Sequence, residues 1–280
     1  MNILTLQSQV VFGHVGNSAA TFALQRVGCE AWAAPTVQLS NHPGYGQARG
    51  GPVEPSLIEA LAAGLEAIGV LRDCDAVLTG YLPSPQTGEA ALEAARRAKA
   101  SGAIWLCDPV IGDEGRIYAR PGVLEFLRER AAPEADILTP NLFELETLTG
   151  VAISGLPDAR NAMQAMRAQG PGVVVCTSFD RDTPAGALDV LALDGKGLWR
   201  VRAPRLDRRF EGAGDLFAAL FLAAYLETRS ASEALARACA GVAATLAATF
   251  ASGERELALI GAQDAMATAF RAGGRAERLA

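Results

Sequence analysis

From the first residues onward, short apolar or β-branched runs alternate with longer stretches of helical periodicity, and this alternation constrains the 280-residue chain more than any other feature. Such alternation favours a mostly parallel sheet covered by helices on both faces, because each parallel crossover needs an element to carry the chain back. Strands are predicted over Ile3–Gln7, Ala31–Gln38, Ala76–Tyr81, Ile104–Asp108, Ile137–Thr139 and Gly172–Cys176. Helices are predicted over Asn17–Val27, Pro55–Leu71, Gln86–Ala100, Pro121–Arg130, Leu142–Leu148 and Asp158–Gln169, with a loop over Leu39–Gly51. Leu188–Ala192 and Gly197–Ala203 flank the turn-forming Asp194-Gly195, which predicts an antiparallel edge pair. From Ala213–Leu226 the chain continues as a helical layer with breaks near Ser230 and Ser252, and the polar tail 271–280 is expected to fray. Nothing resembles a linker or an internal repeat, so a single domain over 1–280 is expected.

Charge and cysteine usage narrow the function. The formal charge is −6 and no Lys/Arg stripe appears, so nucleic acid is not expected as a partner. Five scattered cysteines without a C-x-x-C pair, beside only two histidines, read as reduced, buried small residues rather than zinc ligands. The N-terminus lacks the pattern of a secretory peptide, and a cytoplasmic protein is expected. Leu216–Leu226 is too short to span a bilayer and Ala234–Ala251 carries Arg237, so both read as core helices and no membrane partner is expected.

Glu211-Gly212-Ala213-Gly214-Asp215 stands directly before an apolar helix. Two glycines at a helix start let backbone N–H groups approach an anion that the helix dipole favours. Asp215 reads in two ways there: as an N-terminal cap, or as a base beside an anion hole suited to phosphoryl transfer onto an alcohol. Asp108–Asp113 and Thr139–Glu144 follow predicted strands at the end that should open on the ligand side, and oxygen ligands there suit Mg²⁺ bound partly through water. The competing reading makes Asp108 and Asp113 turn formers and pairs Asn141 with Glu144 in a capping box. The Gly-rich loop around Tyr45 could close over a flat ligand, while His14 and His42 read as ordinary hydrogen-bonding residues without triad spacing.

These motifs together resemble the pyridoxal kinases. Gln7–Ala20, Val37–His42, Leu78–Tyr81, Asp108–Asp113, Thr139–Glu144 and Gly212–Ala219 occur in the family's order and span nearly the whole chain. The resemblance implies a ribokinase-like α/β fold, a homodimer, and ATP-dependent phosphorylation of the 5′-hydroxymethyl group of pyridoxal and its relatives. It implies Asp215 as the base with Gly212, Ala213 and Gly214 as the anion hole. Ser8, Val37, His42 and Tyr81 would line the vitamin pocket; Asp108, Asp113, Thr139, Asn141, Glu144, Thr177 and Ser178 would serve ATP. Asp113 and Glu144 would arrange Mg²⁺, the latter through water, and Thr139 would help hold a monovalent cation, K⁺ or Na⁺.

Two positions depart from the family pattern: Gln9 stands where a His is common, and Pro43 where many members have a substrate-reaching Thr. Glu211 adds negative charge beside a polyanion site, with no account in the sequence unless it points away. Pro43 puts the relative preference among pyridoxal, pyridoxine and pyridoxamine in question. Two other functions compete: a hydroxymethylpyrimidine kinase, which the opening segment and the His42 loop oppose, and a non-catalytic pyridoxal phosphate binder, which the retained Asp215, Asn141 and Glu144 oppose.

Overall fold

A computed structural model describes residues 1–279. The first half runs β1 (Asn2–Phe12), α1 (Asn17–Arg26), β2 (Glu30–Asn41), β3 (Gly50–Pro52), α2 (Pro55–Ala67), β4 (Ala76–Thr79), α3 (Pro85–Lys99), β5 (Ile104–Cys107) and a small hairpin of β6 (Gly112–Asp113) and β7 (Arg116–Ile117). There follow α4 (Val123–Phe126), α5 (Ala132–Glu134), β8 (Ile137–Leu138), α6 (Leu142–Thr149), α7 (Leu156–Arg167) and β9 (Val173–Phe179). The chain closes with β10 (Ala187–Asp194), β11 (Gly197–Pro204), α8 (Ala213–Thr228), α9 (Ala231–Ser252), α10 (Gln263–Ala272) and β12 (Glu277–Leu279).

Ten strands share one sheet in the order β12-β11-β10-β9-β8-β5-β4-β1-β2-β3. The six central strands from β9 to β2 are parallel, whereas β3 at one side and β10–β12 at the other are antiparallel. Successive residues of a strand face opposite sides, and the sequence loads both sides with apolar groups. Ile3, Ala76, Leu78, Leu106 and Ile137 pack under α1, α8, α9 and α10. Leu4, Val77, Trp105, Cys107 and Leu138 pack under α2, α3, α6 and α7. Because β1 sends its two parallel neighbours to opposite sides, a crevice opens at the carboxyl ends of β1 and β4, where doubly wound sheets bind ligands.

The alternating order, the double helical covering and the antiparallel pair all stand as expected. All five cysteines are free and buried. Among the described residues only α9 is long and apolar enough to cross a membrane, yet it packs between α8 and α10, with Arg237 paired to Glu227 and stacked over Phe270. Several boundaries need correction. As far as Leu279 the expected tail is not frayed, Ala280 lying outside the described residues: α10 runs to Ala272 and Glu277–Leu279 pairs with β11, Arg200 holding Glu277 across the ladder. Residues 39–41 belong to β2 rather than to a loop, because they continue the pairing with β1, Leu39 opposite Val10 and Asn41 opposite Phe12, while β3 folds back onto Val37–Leu39. The second helix stops at Ala67 rather than Leu71, since Gly69 at φ +82° turns the chain into a short 3₁₀ turn over Val70–Asp73.

Candidate active site

A cleft of about 1530 Å³ lies over the carboxyl ends of the parallel strands. Every residue assigned to the site from the sequence lines it: Ser8, Val37, His42 and Tyr81; Asp108, Asp113, Thr139, Asn141, Glu144, Thr177 and Ser178; and Gly212–Asp215.

The floor of the phosphate end is the start of α8. Gly212 is its N-cap at φ +83°, and no side chain caps the helix. A side chain at 212 would be strained by that φ, and its Cβ would lie 2.0 Å from the His14 carbonyl oxygen, so only glycine fits. At Gly214 a Cβ would meet no protein atom, so the missing side chain leaves open space in the cleft. The first-turn N–H groups and the positive helix end therefore face the cleft, as an anion hole requires. Asp215 is not the cap. Its half-buried carboxylate accepts from the Gly16 N–H, and burial, with a smaller contribution from Glu211, lifts its pKa to about 6. Gly16 can turn there because it has φ +54° and no Cβ to strike the Ser8 carbonyl.

Two adjacent strand ends supply the acidic groups. Asp108, after β5, is buried and accepts from the Thr139 hydroxyl at 2.8 Å; burial first and the Asp215 charge second push its pKa to about 7. Asn141 and Glu144 form the capping box of α6, with Glu144 N–H donating to Asn141 Oδ1 at 2.8 Å and Asn141 N–H to Glu144 Oε2 at 2.9 Å. The same two residues also hold the β6–β7 hairpin: Glu144 Oε1 accepts from the Ile111 and Gly112 N–H groups, and the Asn141 amide donates to the Gly112 carbonyl. Burial, then the Asp108 charge, pushes the Glu144 carboxyl upward against those N–H donors. The capping-box reading therefore holds in the geometry, and the cap itself builds the cleft wall.

Among the described residues no three acidic, His or Cys side chains are arranged to hold a metal by themselves. Buried Asp108, half-buried Asp113 and the one lone-pair site that Glu144 leaves unused suit a hard cation that keeps water and phosphate oxygens as its other ligands.

The other end of the cleft, lined by Ser8, Val37, His42 and Tyr81, is flanked by residues 42–46, a 3₁₀ turn whose first position is Pro43. That position needs no N–H, which explains the proline, and His42 caps the turn by accepting from the Gly44 N–H at 3.2 Å. Gln9 donates to Ser18 at 2.9 Å, tying β1 to α1. A clasp that the sequence reading missed holds the turn from outside. The Tyr45 hydroxyl donates to Glu256 at 2.7 Å, the Arg255 guanidinium lies 3.8 Å from the Tyr45 ring centre and donates to the Gly44 carbonyl, and Glu256 also accepts from the His14 N–H. Tyr118, Phe143 and Arg205–Phe210 also line the cleft and were missed; the arginine-rich run before the glycine turn was the available signal. Glu211 does not point away: its carboxylate sits 3.2 Å from Arg209 Nε and 3.8 Å from His42 Nε2.

A doubly wound sheet with an open helix start, an adjacent carboxylate and a cleft over its strand ends is the arrangement expected of a ribokinase-like small-molecule kinase. Residues 21–259 match the phosphomethylpyrimidine kinase family model. A pyridoxal kinase of Rubrobacter xylanophilus is 44% identical over 271 residues, covering 95% of this chain and 93% of that protein. Another, of Granulibacter bethesdensis, is 48% identical over 82% of this chain and 84% of that one. The solved pyridoxal kinase of Leishmania donovani with ADP and pyridoxine superposes with a TM-score of 0.89 at 32% identity, covering 100% of this chain and 99% of that one. The chain belongs to the pyridoxal kinases within that broader kinase family.

Proposed function

We propose that the protein transfers the γ-phosphoryl group of ATP to the 5′-hydroxymethyl group of pyridoxal, and of pyridoxine and pyridoxamine, serving vitamin B6 salvage. The observation that carries this reading is Asp215 at the uncapped start of α8, between the Ser8–Val37–His42–Tyr81 end and the acidic strand ends of one cleft. Asp215 accepts the hydroxyl proton as the alcohol oxygen attacks, and the N–H groups of residues 212–214 hold the charge on the transferred group. Thr177 and Ser178, at the end of β9, contact the nucleotide. Asp113 and, through water, Glu144 would hold Mg²⁺, which neutralises phosphate charge when bound; Thr139 would contribute to a monovalent cation site. Solved relatives hold ADP with pyridoxine or with pyridoxamine, which supports both the nucleotide and the vitamer class.

The same reading takes the enzyme as a cytoplasmic homodimer acting on small molecules, with neither nucleic acid nor membrane as partner. A substrate panel with ATP and Mg²⁺ tests the activity. Formation of ADP in step with a phosphorylated B6 vitamer is expected, and turnover of hydroxymethylpyrimidine alone, or of nothing, would overturn the reading.

A further inference from the structure

Arg209 lies three residues before the helix cap Gly212, in a segment that lines the cleft, and its side chain is 47% exposed. Three carboxylates face it: Glu211 at 3.2 Å, Asp113 at 3.7 Å and Glu114 at 3.8 Å. The last two lie beyond hydrogen-bond reach, so the guanidinium is held loosely by charge. Its position is the notable part. Asp113 and Glu114 sit on the β6–β7 hairpin at the nucleotide end, whereas Glu211 adjoins the Gly212 cap, so Arg209 bridges the two walls between which a transferred phosphoryl group must travel. It also offsets the Glu211 charge, which would otherwise repel an anion arriving at the helix start.

We propose that Arg209, which faces Glu211, Asp113 and Glu114, is a clamp for the terminal phosphate of ATP and exchanges these carboxylates for the phosphate when the triphosphate binds. A guanidinium pairs better with a phosphate's several oxygens than with three carboxylates of which two are out of bonding range. Glu211 thereby becomes a competitor that sets how readily the clamp is released. The inference rests on the phosphotransfer reading, and direct binding measurements separate the two.

Affinities of ADP and of a non-hydrolysable ATP analogue are measured by calorimetry in Mg²⁺ buffer for the wild type, Arg209→Gln, Arg209→Lys and Glu211→Gln. Loss of a charge-assisted contact made only by the terminal phosphate should weaken the analogue about tenfold or more in Arg209→Gln while ADP stays within about twofold. Arg209→Lys should retain part of the analogue affinity, and Glu211→Gln should tighten the analogue without moving ADP. Equal weakening of ADP and analogue in Arg209→Gln, or no change in either, overturns the clamp. A wild type that binds the analogue but phosphorylates no B6 vitamer would overturn the functional reading instead.

Discussion

At the phosphate end of the cleft, the acidic groups of the strand ends are held from neighbouring strand ends and their own helix cap, and only Asp215 takes its donor from far along the chain, at Gly16. Glu144 takes N–H donors from Ile111, Gly112 and Asn141, and Asp108 takes the Thr139 hydroxyl. At the proposed vitamin end, the turn around Tyr45 is held by Arg255 and Glu256, more than two hundred positions away along the chain. One end is an extension of the sheet and buries its charges; the other is an exposed loop fastened from outside. Buried charge is thus built into the half that extends the sheet, and the turn around Tyr45 rests on bonds that open individually at small cost.

If that contrast holds, substitutions at the phosphate end should have the larger effects. The largest is expected at Asp215. Asp215→Asn keeps the shape but cannot accept the proton, so turnover should fall about 10²–10⁴-fold with nucleotide affinity nearly unchanged. The lifted pKa also sets a direction in pH: the carboxylate must be ionised to act, so kcat/KM should rise as pH increases through about 6. Steady-state kinetics across pH check both, and a variant that keeps more than about a tenth of turnover would rule Asp215 out as the base.

Next comes Glu144. Glu144→Ala strips the acceptor from three N–H groups, each buried donor so orphaned costing about 1–3 kcal/mol, so the melting temperature should drop sharply. Added Mg²⁺ should not restore the melting temperature, because the loss is in the hairpin and the helix cap. Recovery of stability on titrating Mg²⁺ would mean that the cation site, rather than the cap, dominates.

Asp108 should respond in the opposite sense. Its carboxyl titrates at about 7 in the fold against 3.8 as the ordinary value, so the folded state keeps a proton that the unfolded chain has lost, and stability falls as pH rises across that window. Asp108→Asn removes the liability while leaving an oxygen for the Thr139 hydroxyl. It should stabilise the ligand-free protein by about 2–4 kcal/mol at pH 8, an order-of-magnitude figure from about 1.4 kcal/mol per pKa unit, do nothing at pH 3, and cost activity. Thermal melts at the two pH values decide it.

The smallest effect belongs to the vitamin end. Tyr45→Phe removes one exposed hydrogen bond, worth about 0.5–1.5 kcal/mol at most, so KM for pyridoxal should rise about two- to tenfold while KM for ATP stays put. Equal changes in both constants would show that the clasp supports the whole cleft and would erase the contrast.

The same contrast explains what could be read in the sequence. The strand ends, the Asn141–Glu144 spacing and the Gly212–Asp215 turn are local patterns, and local patterns survive in one dimension. The Arg255–Tyr45 stack and the Glu256–His14 bond have no local signature, since they join segments that meet only after the sheet has formed. Apolar runs predicted which strands exist, but not that β3 would fold back on β2 or that Glu277–Leu279 would add an edge strand, because those pairings are decided by the partner's free edge. Glu211 was visible as an anomaly, yet only its placement against Arg209 accounts for it.

The bond from the Gly16 N–H to Asp215 has a consequence for how the protein comes into being. The first strand and its turn leave the ribosome early, but the group they orient emerges only after roughly three quarters of the chain, and contacts this distant are slow to form because long loops must close first. A nascent or truncated chain ending before α8 can own much of the parallel sheet and still lack Asp215, the helix start and the clasp. Pulse-labelled synthesis should therefore show protease-resistant material appearing before any nucleotide-binding competence.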